Sequence, residues 1–524
     1  MPEYLTPGVY VEEINTGPRP IEGVGTACAA FVGLAPDGPA NKAVLITNWM
    51  QYVDTFGRED KNGRRDPHIP GAYLSHSVYG YFLNGGGRCY VTRVAPPNGH
   101  ENGKSARLKG QTLSLPTRAS KAVSSLTFRT REEAPAQDIE IEVGPAVGDG
   151  QPEGTFTLKI RQGPVEEVYE NVSFGKRAAK NVTETVNASK LVTVVEEQTQ
   201  GTLAERMPEQ DRFFIRAGAA QLEALPPVKS GDFIGDVTER SGMEGLEIAE
   251  DVTMVICPDL MANEGKALDS DAIKAVQLKI IAHCESMGDR VAILDTPPGL
   301  KPKEVSDWRM KTAGYDSKYA ALYYPWIKIN GPDNQPLAVP PSGYVAGIWA
   351  RNDTERGVHK APANEVIRGV LETENPITKG EQDVLNPQGV NCIRAFAGRG
   401  VRVWGARTLS STDPSWKYIN VRRLFNYIEK SIELGTQWIV FEPNSPDLWA
   451  RVKRDVSAFL NVCWRDGMLF GNSSAEAFFV KCDAENNPAE TRDLGRLYID
   501  VGLAPVKPAE FVIFRLSQMA GGGA

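Results

Sequence analysis

Both ends of this chain carry a strand-forming segment that nothing nearby in sequence can pair with. Near the start, Val9, Tyr10, Val11, Glu12, Glu13 and Ile14 form a run rich in strand formers. Pro7 and Gly8 fence it on one side, and Gly17, Pro18 and Pro20 on the other. Near the end, Phe511, Val512, Ile513 and Phe514 lie in the run 510–516, behind Pro505 and Pro508. A strand isolated by Pro and Gly is an arm, because its backbone donors and acceptors need partners from elsewhere.

With 524 residues the chain has room for about three or four domains. Apolar residues make up 41% and charged residues 24%, which excludes disordered, collagen-like and coiled-coil classes. The net charge of −8 argues against general affinity for nucleic acid. No apolar run approaches the ~20 residues of a bilayer-spanning helix, so no membrane insertion is expected. The start, residues 1–8, lacks the basic and apolar regions of a signal peptide, which predicts a cytoplasmic protein. Seven cysteines, at 28, 89, 257, 284, 392, 463 and 482, form no Cys-x-x-Cys pair and sit in apolar stretches. They read as buried free thiols.

Pattern divides the chain into six parts. Residues 1–24 are an arm and linker. Residues 25–99 begin an α/β core, with strands at 29–33, 43–46 and 88–94 and a helix at 76–83. Residues 100–245 alternate as half-buried strands do, as in Ile139-Glu140-Ile141-Glu142-Val143, and read as an inserted small surface β domain. Over 246–391 the α/β pattern returns. A strand at 253–257, a helix at 271–287 and a strand at 290–295 make a parallel crossover, with a further strand at 319–326. Residues 392–503 hold helices at 415–434 and 445–462 with a strand at 437–441 between them. Strands at 477–481 and 496–501 follow, and 504–524 form a linker and the second arm.

Chemistry-bearing residues are sparse. Gly85-Gly86-Gly87 follows a helix and lacks the Lys-Ser/Thr pair of a phosphate loop. The five histidines, at 68, 76, 100, 283 and 359, show no metal-ligand spacing. Asp295, Ser342, His283 and His359 invite comparison with the Asp, His, Ser order of subtilisin-like proteases. Neither histidine lies between Asp295 and Ser342, so that order is broken, and Ser342 reads as a helix N-cap. No catalytic residue, metal or cofactor is expected. From 394 to 465 the chain has twelve Lys/Arg against six Asp/Glu, a local charge of +6 that leaves −14 for the remainder. This is either a solvated face or a docking surface for an acidic partner, with Arg451, Lys453 and Arg454 on one helix as its best candidates.

Four stretches together resemble the sheath proteins of contractile phage tails and related injection systems. They are Tyr4-Leu5-Thr6-Pro7-Gly8-Val9-Tyr10-Val11-Glu12-Glu13, Val339-Pro340-Pro341-Ser342-Gly343 with Ala346-Gly347, Val403-Trp404-Gly405-Ala406-Arg407-Thr408-Leu409, and Trp416-Lys417-Tyr418-Ile419-Asn420-Val421-Arg422-Arg423. The resemblance implies a multidomain α/β fold. A core domain subtilisin-like in fold only would be joined to a C-terminal α+β sheath domain with extended β arms. It further implies that the two arms pair with strands of neighbouring copies, the receiving strands containing Phe478, Phe479, Val480, Leu497, Tyr498 and Ile499. The segments 17–23 and 504–509 would be flexible linkers, and Arg451, Lys453 and Arg454 would face an inner tube. The implied function is mechanical: six-fold rings stack around the tube, then contract to drive it through a target envelope. Partners would be neighbouring copies, the tube, and baseplate and cap proteins, within a phage tail or tail-like particle.

Overall fold

Apolar runs too short for helices build the main sheet. The computed structural model describes residues 21–513 except 60–62, 96–111, 119–123, 132–134, 136, 149, 153, 175–179, 198–205, 216–227, 263–267 and 332–333. The expectations at Val9, Tyr10, Val11, Glu12, Glu13, Ile14 and Phe514 therefore lie outside the described residues. Two compact units emerge, Met1–Gly103 with Pro227–Ala524, and Lys104–Pro226.

In the first unit, nine strands form one sheet: β1 (Cys28–Gly33), β2 (Ala43–Ile46), β3 (Arg88–Arg93), β4 (Met254–Ile256), β5 (Val291–Asp295), β6 (Ala320–Tyr324), β7 (Glu365–Val366), β8 (Val390–Phe396) and β9 (Gly400–Val403). Their order is β7-β9-β8-β6-β5-β4-β1-β3-β2. The strands from β8 to β3 run parallel, and β2, β9 and β7 are antiparallel to their neighbours. Parallel strands are covered on both faces, which is why β4, β5 and β6 are apolar almost throughout and buried at every position.

Helices α1 (Leu74–Leu83), α2 (Ser270–Met287) and α3 (Ser342–Arg356) flank this sheet. Helix α2 joins β4 to β5 as the crossover pattern requires. It is capped by the Asp269 side chain and ends at left-handed Gly288. Helices α1 and α3 cross closely because α3 carries glycines four residues apart. A Cβ at Gly343 would lie 2.5 Å from the Ser77 carbonyl oxygen, and one at Gly347 would lie 2.4 Å from that of Tyr81. Gly343→Ala should therefore destabilise the subunit by about 2 kcal/mol, since the backbone of α1 must give way; an unchanged urea midpoint would contradict the close crossing.

Toward the C-terminus, α4 (Ile419–Gly435) and α5 (Pro446–Arg465) bury Leu424, Ile428, Val452, Val456 and Leu460 against the hairpin of β10 (Phe478–Lys481) and β11 (Asp500–Leu503). Three expectations are corrected here. Residues 437–441 are not a strand. Gln437–Ile439 form a 3-10 turn, and Phe441 takes a left-handed φ of 70°. The strand expected at 496–501 begins at Asp500. Leu497, Tyr498 and Ile499 precede it, because the Asn487 side chain takes the Tyr498 backbone bonds that a ladder would use. The expected linkers are tied down in part. Ile21 is buried against α4, and the backbone of Ala504 and Val506 bonds to Ala477 and Met468.

The second unit has its own core. Strands Val165–Ser173, Thr155–Gln162, Ile139–Pro145 and Arg212–Ile215 form an antiparallel sheet in that order. A three-stranded sheet of Val192–Glu196, Ser124–Thr130 and Thr112–Pro116 accompanies it. The alternation at 139–143 buries Ile139, Ile141 and Val143 with Phe128, Phe156 and Leu158.

Candidate assembly interface

The hairpin β10–β11 is a sheet of two strands, and among the described residues neither outer edge has a partner. Two strands alone are marginal in water, and an open edge is a template for another chain. Phe479 faces Gly502 across the ladder, and its ring covers the space a side chain would occupy there. Phe478, Leu497, Ile499 and Val501 pack on the core of α4 and α5, whereas Phe479 and Tyr498 are exposed.

Phe511, Val512 and Ile513 follow this hairpin. The expectation of a strand here is not met within the subunit: the three residues are irregular and 70–78% exposed. The physical reason is the one that defined an arm, since among the described residues no strand pairs with them. Just before them, Glu510 is held firmly. Arg407 donates from Nε to Oε1 and from Nη2 to Oε2, both at 2.8 Å. Asn386 donates at 2.8 Å and Tyr418 at 2.9 Å, and the Lys417 ammonium lies 3.7 Å away. Burial would raise the Glu510 carboxyl, but these donors, Arg407 foremost, override it and hold the group at about 2. Sequence reasoning missed Glu510, Arg407 and Asn386 as a group. The available signal was one acidic residue between Pro508 and the apolar arm.

Asp295 and Ser342 do come together. Asp295 ends β5 and accepts from the Ser342 backbone N–H at 3.0 Å and its hydroxyl at 2.5 Å. The N-cap expectation for Ser342 is thus inverted: Pro341 occupies the cap position, and the Asp295 carboxylate receives the first-turn donors of α3. Burial pushes the Asp295 carboxyl up to about 7 against the pull of Ser342. The histidines stand elsewhere. His283 contacts Arg290 at 3.3 Å, and His359 Nδ1 has no hydrogen-bond partner among the described residues. Ser342 is fully buried and its hydroxyl is engaged as a donor to Asp295, an arrangement that joins β5 to α3.

The basic block from 394 to 465 divides into two sets. Arg407, Arg422 and Arg423 are buried, so they do not contribute to a docking face. Arg407 binds Glu510 and Arg422 binds Glu429. Arg423 grips Asp353 of α3 with contacts of 2.8 and 2.5 Å, bonds the Thr26 carbonyl, and stacks over Trp349. Arg451, Lys453 and Arg454 remain exposed on α5. Of these, Arg451 pairs with Glu442 at 3.2 Å and lies over Trp438, and Arg454 contacts Asp455. Arg451 thus braces the turn that presents Phe441, a side chain with 102% relative exposure.

These features define a class: mixed α/β proteins with several sheets, one of them left with open edges. The descriptions "Phage tail sheath protein central domain" and "Phage tail sheath C-terminal domain" match residues 240–409 and 411–518, more than half of the chain. The chain belongs to the tail sheath family. The tail sheath protein of Burkholderia phage BcepMu is 23% identical over 96% of this chain and 94% of its own length. The putative prophage major tail sheath protein of Pseudomonas aeruginosa (strain UCBPP-PA14) is 26% identical over 58% of this chain and 76% of its own length. Against the tail sheath protein of Vibrio phage KVP40, 23% identical, the chain spans about half of that protein's length, 49%. The fold matches the anti-feeding prophage helical sheath in its contracted state with a TM-score of 0.58, at 23% identity over 98% of this chain and 100% of that one. It also matches the contracted PVC sheath complex of an extracellular contractile injection system, with a TM-score of 0.57 at 23% identity over 99% of both chains.

Proposed function

We propose that this chain is the repeating subunit of a contractile sheath, polymerising as stacked six-fold rings around an inner tube and contracting to drive that tube through a target envelope. The observation that carries this reading is the unfinished hairpin β10–β11 together with an exposed apolar tail, in a chain of the tail sheath family. The run 9–14 of one neighbour and the run 511–514 of another would complete the sheet, with main-chain bonds supplying affinity. Such head-to-tail contacts generate a helix when the rotation does not close. The core built on β1 to β9 would be subtilisin-like in fold and serve as scaffold, without catalytic activity. Assembly would occur in the cytoplasm, with baseplate and cap proteins at the two ends. Electron microscopy of the expressed protein tests the whole reading: striated hollow tubes are expected, and particles that stay globular would refute it.

Lys453 and Arg454 are assigned to the inner-tube face, with Arg451 beside them. Reversing Lys453 and Arg454 to Glu should weaken co-assembly with the tube at least tenfold while leaving the fold intact. Unchanged co-sedimentation would remove the assignment. The unit Lys104–Pro226, with its separate core, is read as an external decoration. Its deletion should leave tube formation in place, and loss of all polymer would show that it takes part in assembly.

A further inference from the structure

We propose that Glu510 is the anchor of the C-terminal arm, a fixed point that locks the linker to its own subunit so that the exchanged strand starts at Phe511. The proposal rests on the strand-exchange reading above and adds to it where the moving part begins.

Both carboxylate oxygens of Glu510 are filled: Oε1 accepts from Asn386 and Arg407, and Oε2 from Arg407 and Tyr418. The bidentate guanidinium fixes direction as well as distance. Arg407 is itself immobilised, since Nη1 donates to the Asn386 carbonyl at 3.0 Å. Its backbone N–H and carbonyl both bond the Asn391 side chain, at 2.7 and 2.8 Å. Asn391 belongs to β8, so the grip runs directly into the main sheet.

Upstream, the Val506 carbonyl accepts from Asn420 of α4 at 3.0 Å, and the Val506 N–H bonds Met468. Two of the stretches that carry the sheath resemblance therefore converge on the segment 506–510. Val403–Leu409 supplies Arg407, and Trp416–Arg423 supplies Lys417, Tyr418 and Asn420. Just beyond Glu510, Phe511, Val512 and Ile513 are largely exposed. A pull on the arm by a neighbour would thus first reach the core through the part-buried cluster around Glu510. Because that cluster is only partly exposed, salt screens it less than a surface pair.

The test uses the full-length protein. Glu510→Ala leaves the Arg407 guanidinium without its carboxylate, so it should lower the melting temperature of the free subunit yet leave it folded at the assembly temperature, and should speed amide exchange at 506–510 at least tenfold. It should also lower the yield of pelletable tubes at least tenfold. Glu510→Gln keeps the shape, loses the charge, and should fall between the two. Normal tubes from both variants would overturn the proposal. So would a large drop in melting temperature that accounts for the lost tubes, because Glu510 would then be a general stabiliser. A chain ending at Glu510 separates the two ideas: if it polymerises normally, the strand-exchange reading fails. If it does not polymerise while Glu510→Ala does, only the anchor fails.

Discussion

A chain ending at Glu510 is expected to fold, remain soluble and fail to form tubes at concentrations where the full chain does. Of the removed residues, Phe511, Val512 and Ile513 contribute little to the isolated subunit, because they are exposed and outside any strand. In an assembly those three side chains would be buried, at about 1.5–3 kcal/mol each. Their backbone bonds to the β10–β11 edge would add about 1 kcal/mol apiece. Even at the low end the loss is about 5 kcal/mol, which raises the critical concentration more than about a thousandfold. Sedimentation of the truncated and full chains over a concentration series measures this directly. A shift below tenfold would contradict strand exchange.

Asp353→Ala is expected to destabilise the subunit by about 3–5 kcal/mol, the range for removing one partner of a buried ion pair. Asp353 and Arg423 are each only 3% exposed, and Arg423 touches α3, the Thr26 carbonyl and the Trp349 ring together. The pair fastens the C-terminal helix α4 to the core helix α3. Without Asp353 the guanidinium is left buried and uncompensated. Replacing both residues, Asp353→Leu with Arg423→Met, should recover much of the loss, because it removes the stranded charge. Urea unfolding of the single and double variants distinguishes the cases. A single variant within 1 kcal/mol of the parent would mean that the pair is not desolvated in solution.

The core sheet was legible in the sequence because β4, β5 and β6 are continuous apolar runs with a helix-length spacer between the first two, a pattern with few other solutions. The alternation at 139–143 was equally direct, since one face is buried and the other is not. The C-terminal region was less transparent, for two physical reasons. First, apolar residues there are not all core. Val440 and Phe441 continue the run from Trp438, yet they lie on the surface of a tight turn, so a run that resembled a strand marks an exposed contact. Second, charge counts carry no depth. Arg422 and Arg423 looked like part of a basic face, but helical geometry turns both inward onto Glu429, Asp353 and aromatic rings. Glu510 was invisible for the same reason: a clamp assembled from Asn386, Arg407 and Tyr418 has no local spacing to read.

The thiols carry a consequence for life outside a reducing compartment. All seven cysteines are free and buried, and burial pushes the thiols of Cys28, Cys392 and Cys463 up to about 12. Thiolate is the nucleophile that attacks peroxide and disulfides, and here it is both scarce and inaccessible. In the proposed sheath, neighbouring subunits would therefore form no covalent cross-links through these thiols, and the contacts between them would stay free to slide.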